Sequence, residues 1–212
     1  VPRLRLTAHR RQSLLAAARR VFARKGYEAA TVAEIVAEAG VAQGTFYLYF
    51  PSKRAAVMQL AEEFHRRLME AVVQAYRPDR PLVESVRPAV EAAFRFCGQN
   101  VDLIRLLEFD VALDTEACRQ LESLPAHQEF QAWMEEVIRQ HAAREGLAVD
   151  PSMTARIIGW LMREACHECF LLGDGRQVER YVQAISGFLE AALLGLGKLP
   201  EGAARKGEEA RS

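Results

Sequence analysis

Several things are scarce in this sequence, and each shortage narrows what the chain is. No run approaches the roughly 18 consecutive apolar residues that a membrane-spanning helix needs, so a bilayer is not an expected partner. The opening segment VPRLRLTAHRRQ is basic but has no apolar stretch of the kind a secretory signal carries. Four cysteines among 212 residues are too few for a disulfide scaffold, and a reduced, cytoplasmic setting is the expectation. Asn100 is the single asparagine, and arginine outnumbers lysine 24 to 4. Scarce asparagine suits a heat-stable protein, although arginine bias also follows genome composition. Strand signals are missing: there are no period-two runs of Val, Ile and Thr and no hairpin dipeptides. Also missing are a phosphate-binding glycine loop, an H-E-x-x-H pair, a G-x-S-x-G elbow and a Ser/His/Asp constellation. Neither an enzyme nor a bound cofactor is therefore expected.

Net charge is absent too, with 28 basic and 28 acidic residues. That zero hides an asymmetry. Residues 1–54 hold ten Lys/Arg against three Asp/Glu, a local charge of +7, and the remaining 158 residues carry −7. A basic head on an acidic body points to a polyanionic partner for the head.

What is present is helical periodicity. Leu14, Leu15, Ala18, Val21 and Phe22 fall on one helical face, with Thr7 as N-cap and Gly26 just past the end. Phe130, Trp133, Met134, Val137 and Ile138 repeat the pattern, as do Val178, Tyr181, Val182, Ile185, Phe188, Leu189 and Ala192. The fold class read from this is all-α, with about nine helices: 8–25, 32–39, 43–49, 52–75, 82–98, 101–112, 115–145 (interrupted near Pro125), 152–172 and 176–196. Charge and helix boundaries divide the chain into a head at residues 1–54 and a body at 55–197, and the small, charged segment 198–212 reads as a disordered tail.

The head reads as a helix-turn-helix. Thr31 precedes a short helix whose Ile35 and Val36 face the first helix, and Gly40 permits the sharp change of direction before the next. The second short helix carries GTFYLYF. Phe46 and Ala42 point inward, leaving Gln43, Gly44 and Tyr47 on another side. A Gln amide both donates and accepts at a base edge. Gly44 removes a side chain where a backbone passes close to a duplex. Hydroxyls of Tyr and Thr suit phosphate oxygens, Ser52 caps the following helix, and Lys53 adds a cation. A plain three-helix bundle with an aromatic core is the competing reading.

The run ARRVFARKGYEAATVAEIVAEAGVAQGTFYLYFPSKRAAV resembles the DNA-binding domain of the TetR/AcrR family of bacterial transcriptional regulators over residues 7–60. The resemblance implies an all-helical homodimer that sets a recognition helix, here about 42–48, into the major groove of each half of a palindromic operator. It implies Gln43, Gly44 and Thr45 near bases, and Thr31, Tyr47, Tyr49 and Lys53 on phosphates. Ala33 stands where some members carry arginine, which shifts base reading toward Gln43 and an arm bearing Arg3, Arg5, Arg10 and Arg11. It further implies that helices 152–172 and 176–196 form the dimer interface, as their broad apolar faces also suggest.

The body is the expected seat of a small-molecule effector, apolar or anionic, such as an acyl thioester or aromatic acid. Arg156, Trp160, Arg163 and His167 line one side of helix 152–172, read either as a ligand wall or as a solvated face. Phe94, Leu103, Leu107, Phe109, Trp133 and Val137 are further ligand candidates, with ordinary core as the alternative for each. Cys97, Cys118, Cys166 and Cys169 raise a second functional reading, a thiol- or metal-responsive regulator. A C-x-x-C within a helix is only half of a metal site, so no bound metal is assigned.

Overall fold

A computed structural model describes residues 2–113 and 115–196. The segment 198–212, read from the sequence as a tail, lies outside them. Among the described residues there are ten α-helices and no strand: α1 (Pro2–Ala29), α2 (Val32–Ala39), α3 (Gln43–Tyr47), α4 (Lys53–Ala75), α5 (Leu82–Gly98), α6 (Val101–Leu113), α7 (Thr115–Glu122), α8 (Pro125–Glu145), α9 (Pro151–His167) and α10 (Val178–Leu196). The expected interruption near Pro125 separates α7 from α8. The helix expected at 152–172 changes character instead: Glu168–Leu172 is a π-helical turn, with the Gly173 amide bonded to the Glu168 carbonyl at 2.8 Å. Thr7 does not cap α1, because the helix already runs from Pro2. Gly26 does break it, with φ +77°.

The chain packs as two compact units that do not follow the sequence-based boundary at residue 54. Among the described residues, the first comprises residues 2–69 and 99–128, the second residues 70–98 and 129–196. In the first, the α1 face formed by Leu14, Leu15, Ala18, Val21 and Phe22 is wholly buried, together with Ile35 of α2, Phe46 of α3 and Val57 of α4. Leu103 and Leu107 of α6 are buried in the same unit. Arg19 of α1 meets Asp102 of α6 in a two-pronged ion pair, Nε to Oδ2 and Nη2 to Oδ1, each 2.6 Å. Glu62 of α4 accepts the otherwise unsatisfied amide of Ala126 at the start of α8, 3.2 Å away. Nearby, burial pushes the His65 imidazole down to about 4, against the pull of the Ala61 carbonyl; the His127 ring adds to the depression.

The second unit is built on α5 against α10. Phe94 is wholly buried, with Phe170 and Tyr181 ring centroids 6.0 and 6.2 Å away. A polar chain centred on the buried His141 holds the turn after α4: the Tyr76 hydroxyl lies 2.8 Å from His141 Nε2, and His141 Nδ1 lies 2.5 Å from Glu145 Oε1. The same Glu145 oxygen accepts the Leu82 amide at 3.0 Å, satisfying a donor at the start of α5. Arg144 reaches the Pro78 and Arg80 carbonyls at 3.1 and 2.8 Å, so the loop between α4 and α5 is tied at both edges.

The Arg19–Asp102 pair yields a pH-dependent prediction. Partial burial works to raise the Asp102 carboxyl, but the Arg19 guanidinium outweighs it and holds the group below the usual 3.8. A depressed folded-state value gives stability that is fully present above the unfolded value and is lost as pH falls through the folded one. Asp102→Asn is expected to lower unfolding stability by about 1 kcal/mol at pH 7. In parallel melts of the two proteins, that gap closes as pH falls below about 4.

Candidate nucleic-acid interface

The geometry of the head begins at α2. Thr31 caps it in a reciprocal box: its Oγ1 accepts the Glu34 amide at 3.3 Å, and Glu34 Oε2 accepts the Thr31 amide at 3.1 Å. Lys25 closes on the other oxygen of Glu34, and the Glu34 carboxyl is held below its ordinary range by that contact first and by Thr31 second. Gly40 ends α2 at φ +67°, a left-handed turn that favours glycine, and its amide satisfies the Ala37 carbonyl. The chain reverses there, and α3 starts three residues later.

Five residues cannot hold a helix by themselves. Phe46 fixes α3: it is fully buried, with Phe50 at 5.4 Å between centroids and the Tyr47 ring edge-on at 5.5 Å. Arg11 of α1 lies 5.8 Å from the Phe50 ring centroid and donates to Gln59 of α4 at 2.5 Å. With Phe46 turned inward, Gln43, Gly44, Tyr47 and Leu48 form one exposed strip at i, i+1, i+4 and i+5. Thr45 and Tyr49 are half-buried at its margins. Ala42, expected to point inward with Phe46, is exposed, because it is the extended residue before the helix and not its first turn.

Leu48 is the member of the strip that periodicity does not single out. It is 81% exposed, whereas an apolar residue between two tyrosines reads as core. Lys53 differs in the opposite sense. Its ammonium donates to the carbonyls of Tyr27, Glu28 and Ala30 at 2.5, 3.3 and 3.0 Å and sits 4.2 Å from the Tyr27 ring centroid. All three of its donors close the end of α1, so the phosphate role expected of Lys53 has no donor left to serve it. Ser52 does cap α4, its Oγ accepting the Ala55 amide at 3.1 Å.

The local +7 is similarly engaged within the protein. Arg20 and Arg24 clamp Glu38 at 2.7 and 2.9 Å, Arg19 holds Asp102, and Arg54 donates to Gln120 at 3.2 Å. The side chains of Arg3 and Arg5 lie outside the described residues. No carboxylate occurs between Glu38 and Glu62, so the strip itself carries nothing that repels a phosphate.

The expected effector residues are distributed differently. Leu103 and Leu107 are buried in the first unit. Phe94 is core in the second unit, Trp133 is half-buried between Tyr76 and Phe130 at 5.6 and 6.0 Å, and Val137 is half-buried. Trp160 and Arg163 are exposed, Trp160 beneath the Arg156 guanidinium at 5.3 Å. His167, on the same helix, is half-buried with Nδ1 enclosed and without a partner. The Phe109 and Cys118 side chains lie outside the described residues.

Gly44 gives a direct test of the strip. Its backbone is ordinary helix, and nothing lies within 4 Å of where a Cβ would stand. The fold therefore does not require glycine, and Gly44→Ala is expected to stabilise the free protein by about 0.5–1 kcal/mol. If the glycine serves close approach to a duplex, the same change weakens operator binding by about tenfold or more. Calorimetry and a DNA titration on one preparation check both signs.

Comparison with known proteins converges on the same head. Residues 14–59 match the family described as bacterial regulatory proteins, tetR family. The chain is 29% identical over 193 residues to the HTH-type transcriptional regulator YvdT of Bacillus subtilis, covering 88% of this chain and 96% of YvdT. A solved structure described as a TetR-family transcriptional regulator of Syntrophomonas wolfei superposes with TM-score 0.75 at 20% identity, covering 89% of this chain and 97% of the other. The transcriptional regulator FadR of Bacillus subtilis, solved in complex with stearoyl-CoA, gives TM-score 0.69 at 17% identity, with coverage of 82% and 97%. The structural likeness speaks for the fold, and the sequence match falls on the strip-bearing helices. Residues 14–59 carry the DNA-binding domain of the tetR family, and the relatives support a DNA-binding transcriptional regulator of the TetR/AcrR type.

Proposed function

We propose that this regulator is a cytoplasmic homodimeric repressor that holds a palindromic operator and leaves it when a small apolar or anionic effector binds. The observation that carries the operator half is the exposed, carboxylate-free strip Gln43–Gly44–Tyr47–Leu48 set by a buried Phe46. Gln43, Gly44 and Thr45 meet bases; Tyr47, Tyr49 and the edge of Thr31 meet phosphates. A two-fold dimer would present the two strips about one helical turn, ~34–36 Å, apart.

The dimer is supported by what α9 and α10 leave uncovered. Met153, Ile157 and Trp160 follow each other at i, i+4 and i+7 and are each about half exposed, and Phe188 and Leu194 of α10 are exposed at 64% and 62%. Ala184, Gly187, Ala191 and Gly195 give α10 an exposed line of small residues. A Cβ at Gly187 or Gly195 would meet nothing within 4 Å, so the chain's own packing does not call for glycine there, and closely approaching helices of a second copy would. Trp160 belongs to this face and not to an effector wall. Replacing Phe188 by Glu is expected to give a monomer in sedimentation equilibrium and to abolish cooperative binding to a two-half-site duplex. A variant that stays dimeric removes α10 from the interface.

For the effector, the second unit offers half-buried Trp133 and Val137 and two enclosed nitrogens without protein partners, His167 Nδ1 and Gln131 Nε2. Buried polar atoms of this kind cost about 1–3 kcal/mol each unless something bonds them. A ligand with an apolar tail and a polar head would suit residues of these types, and the related fold of FadR holds stearoyl-CoA. Acyl-CoAs of increasing chain length, titrated into the protein–operator complex, are expected to release the DNA, and His167→Ala to raise the concentration required. Differential affinity of about 5.5 kcal/mol would take the population from one conformer almost fully to the other. Indifference to every acyl thioester and aromatic acid sinks the effector class while leaving operator binding untouched.

Thiol sensing has less support. Cys97, Cys166 and Cys169 are buried and free. A hydrogen bond with Cys97 and then burial push the Cys166 thiol up, and burial raises Cys169. Thiolates, the reactive species, are disfavoured in both cases. Among the described residues no group of three or more His, Cys, Asp and Glu is placed to hold a metal ion.

A further inference from the structure

We propose that Leu48, with the open space above Gly44, receives the C5-methyl group of a pyrimidine in the major groove, which is thymine in unmodified DNA. The inference rests on the operator-reading role of α3 put forward above and names a specificity-determining residue within it.

Leu48 is the most exposed of the large apolar side chains described, at 81%. A lone exposed leucine elsewhere on a surface needs no explanation. This one stands in the strip itself. Its backbone is still helical, at φ −71° and ψ −22°, so it continues the face of α3 one turn beyond Gly44. Side chains on a helix lean toward its N-terminus, which tilts Leu48 toward the turn that Gly44 occupies. Nothing lies within 4 Å of a Cβ built on Gly44. The two positions therefore form an apolar notch: bare backbone on one side and an isobutyl group on the other.

The neighbours define what fits. Gln43 and Tyr47, one turn apart on the same strip, present an amide and a hydroxyl and suit base edges and phosphates. No carboxylate lies between Glu38 and Glu62. Among the base edges open in the major groove, the groups offered to Leu48 are polar donors and acceptors and one apolar group, the C5-methyl of thymine or methylated cytosine. Of these, only the methyl makes removing leucine from water favourable. One methyl group buried is worth about fourfold in affinity (about 0.8 kcal/mol).

The test uses the full chain and a duplex selected by it from a random pool. Each dT of the selected site is replaced singly by dU, which keeps the base pair and removes only the methyl. Wild type is expected to lose about fourfold in affinity at one thymine of each half-site. Leu48→Ala is expected to bind the dU duplex as wild type does and to show no penalty for the replacement, with an unchanged melting midpoint because the side chain is exposed. A second arm methylates the cytosines of the site at C5: a gain of affinity that disappears in Leu48→Ala assigns the notch to methylcytosine. Insensitivity of wild type in both arms, or a dU penalty undiminished in Leu48→Ala, overturns the proposal and leaves operator binding standing. A pool that yields no preferred sequence overturns the operator reading and this one with it.

Discussion

The helix-turn-helix head depends on the burial of one ring. Helix α3 has five residues, too few to pay for its own ordering, and its N-cap contributes no side-chain hydrogen bond. Phe46 supplies what the backbone lacks. Taken fully out of water, a phenylalanine contributes about 1.5–3 kcal/mol, and its direction is as important as its energy. Once residue 46 points inward, 3.6-residue periodicity sends 43, 44, 47 and 48 outward together. The capping box of α2 and the left-handed Gly40 bring the chain to the right place; the aromatic contact sets the rotation.

Charge plays a different part from the one its distribution suggests. The excess of cations in the first 54 residues implies a surface field for phosphates. In the structure several of these groups hold helices together: two arginines on Glu38, one on Asp102, and a lysine on three carbonyls at the end of α1. Each is a charged donor next to an acceptor that would otherwise face water or an unpaired helix end. They keep α1, α2 and α4 in the arrangement on which α3 is mounted.

Legibility differed sharply between kinds of residue. Helix positions, the break near Pro125 and the inward α1 face could be read because apolar spacing records them directly, whereas the start of α1 at Pro2 could not. The Tyr76–His141–Glu145 chain could not: its members lie 65 and 4 residues apart, and nothing in their spacing distinguishes a connected network from scattered polar residues. Leu48 escaped for the converse reason, since hydrophobicity alone argues for the core and only the finished packing shows that no neighbour covers it. The π-helical turn at Glu168–Leu172 was likewise illegible, because the change of hydrogen-bond register at the end of the helix leaves no mark on the apolar spacing.

By itself the sequence determined the all-helical fold, the helix-turn-helix with Gly40 at its corner, and the resemblance to the TetR/AcrR family through the run containing GTFYLYFPSK. Those properties are local: they come from the order of side chains along a few turns. Tertiary structure alone decided that Trp160 looks outward with Met153 and Ile157, that Lys53 turns in to close α1, and that Leu48 is left bare beside Gly44. Periodicity fixes the angle between residues on a helix but not which side a neighbour will cover. That choice is made when helices distant in sequence come together and exclude water from one face and not the other.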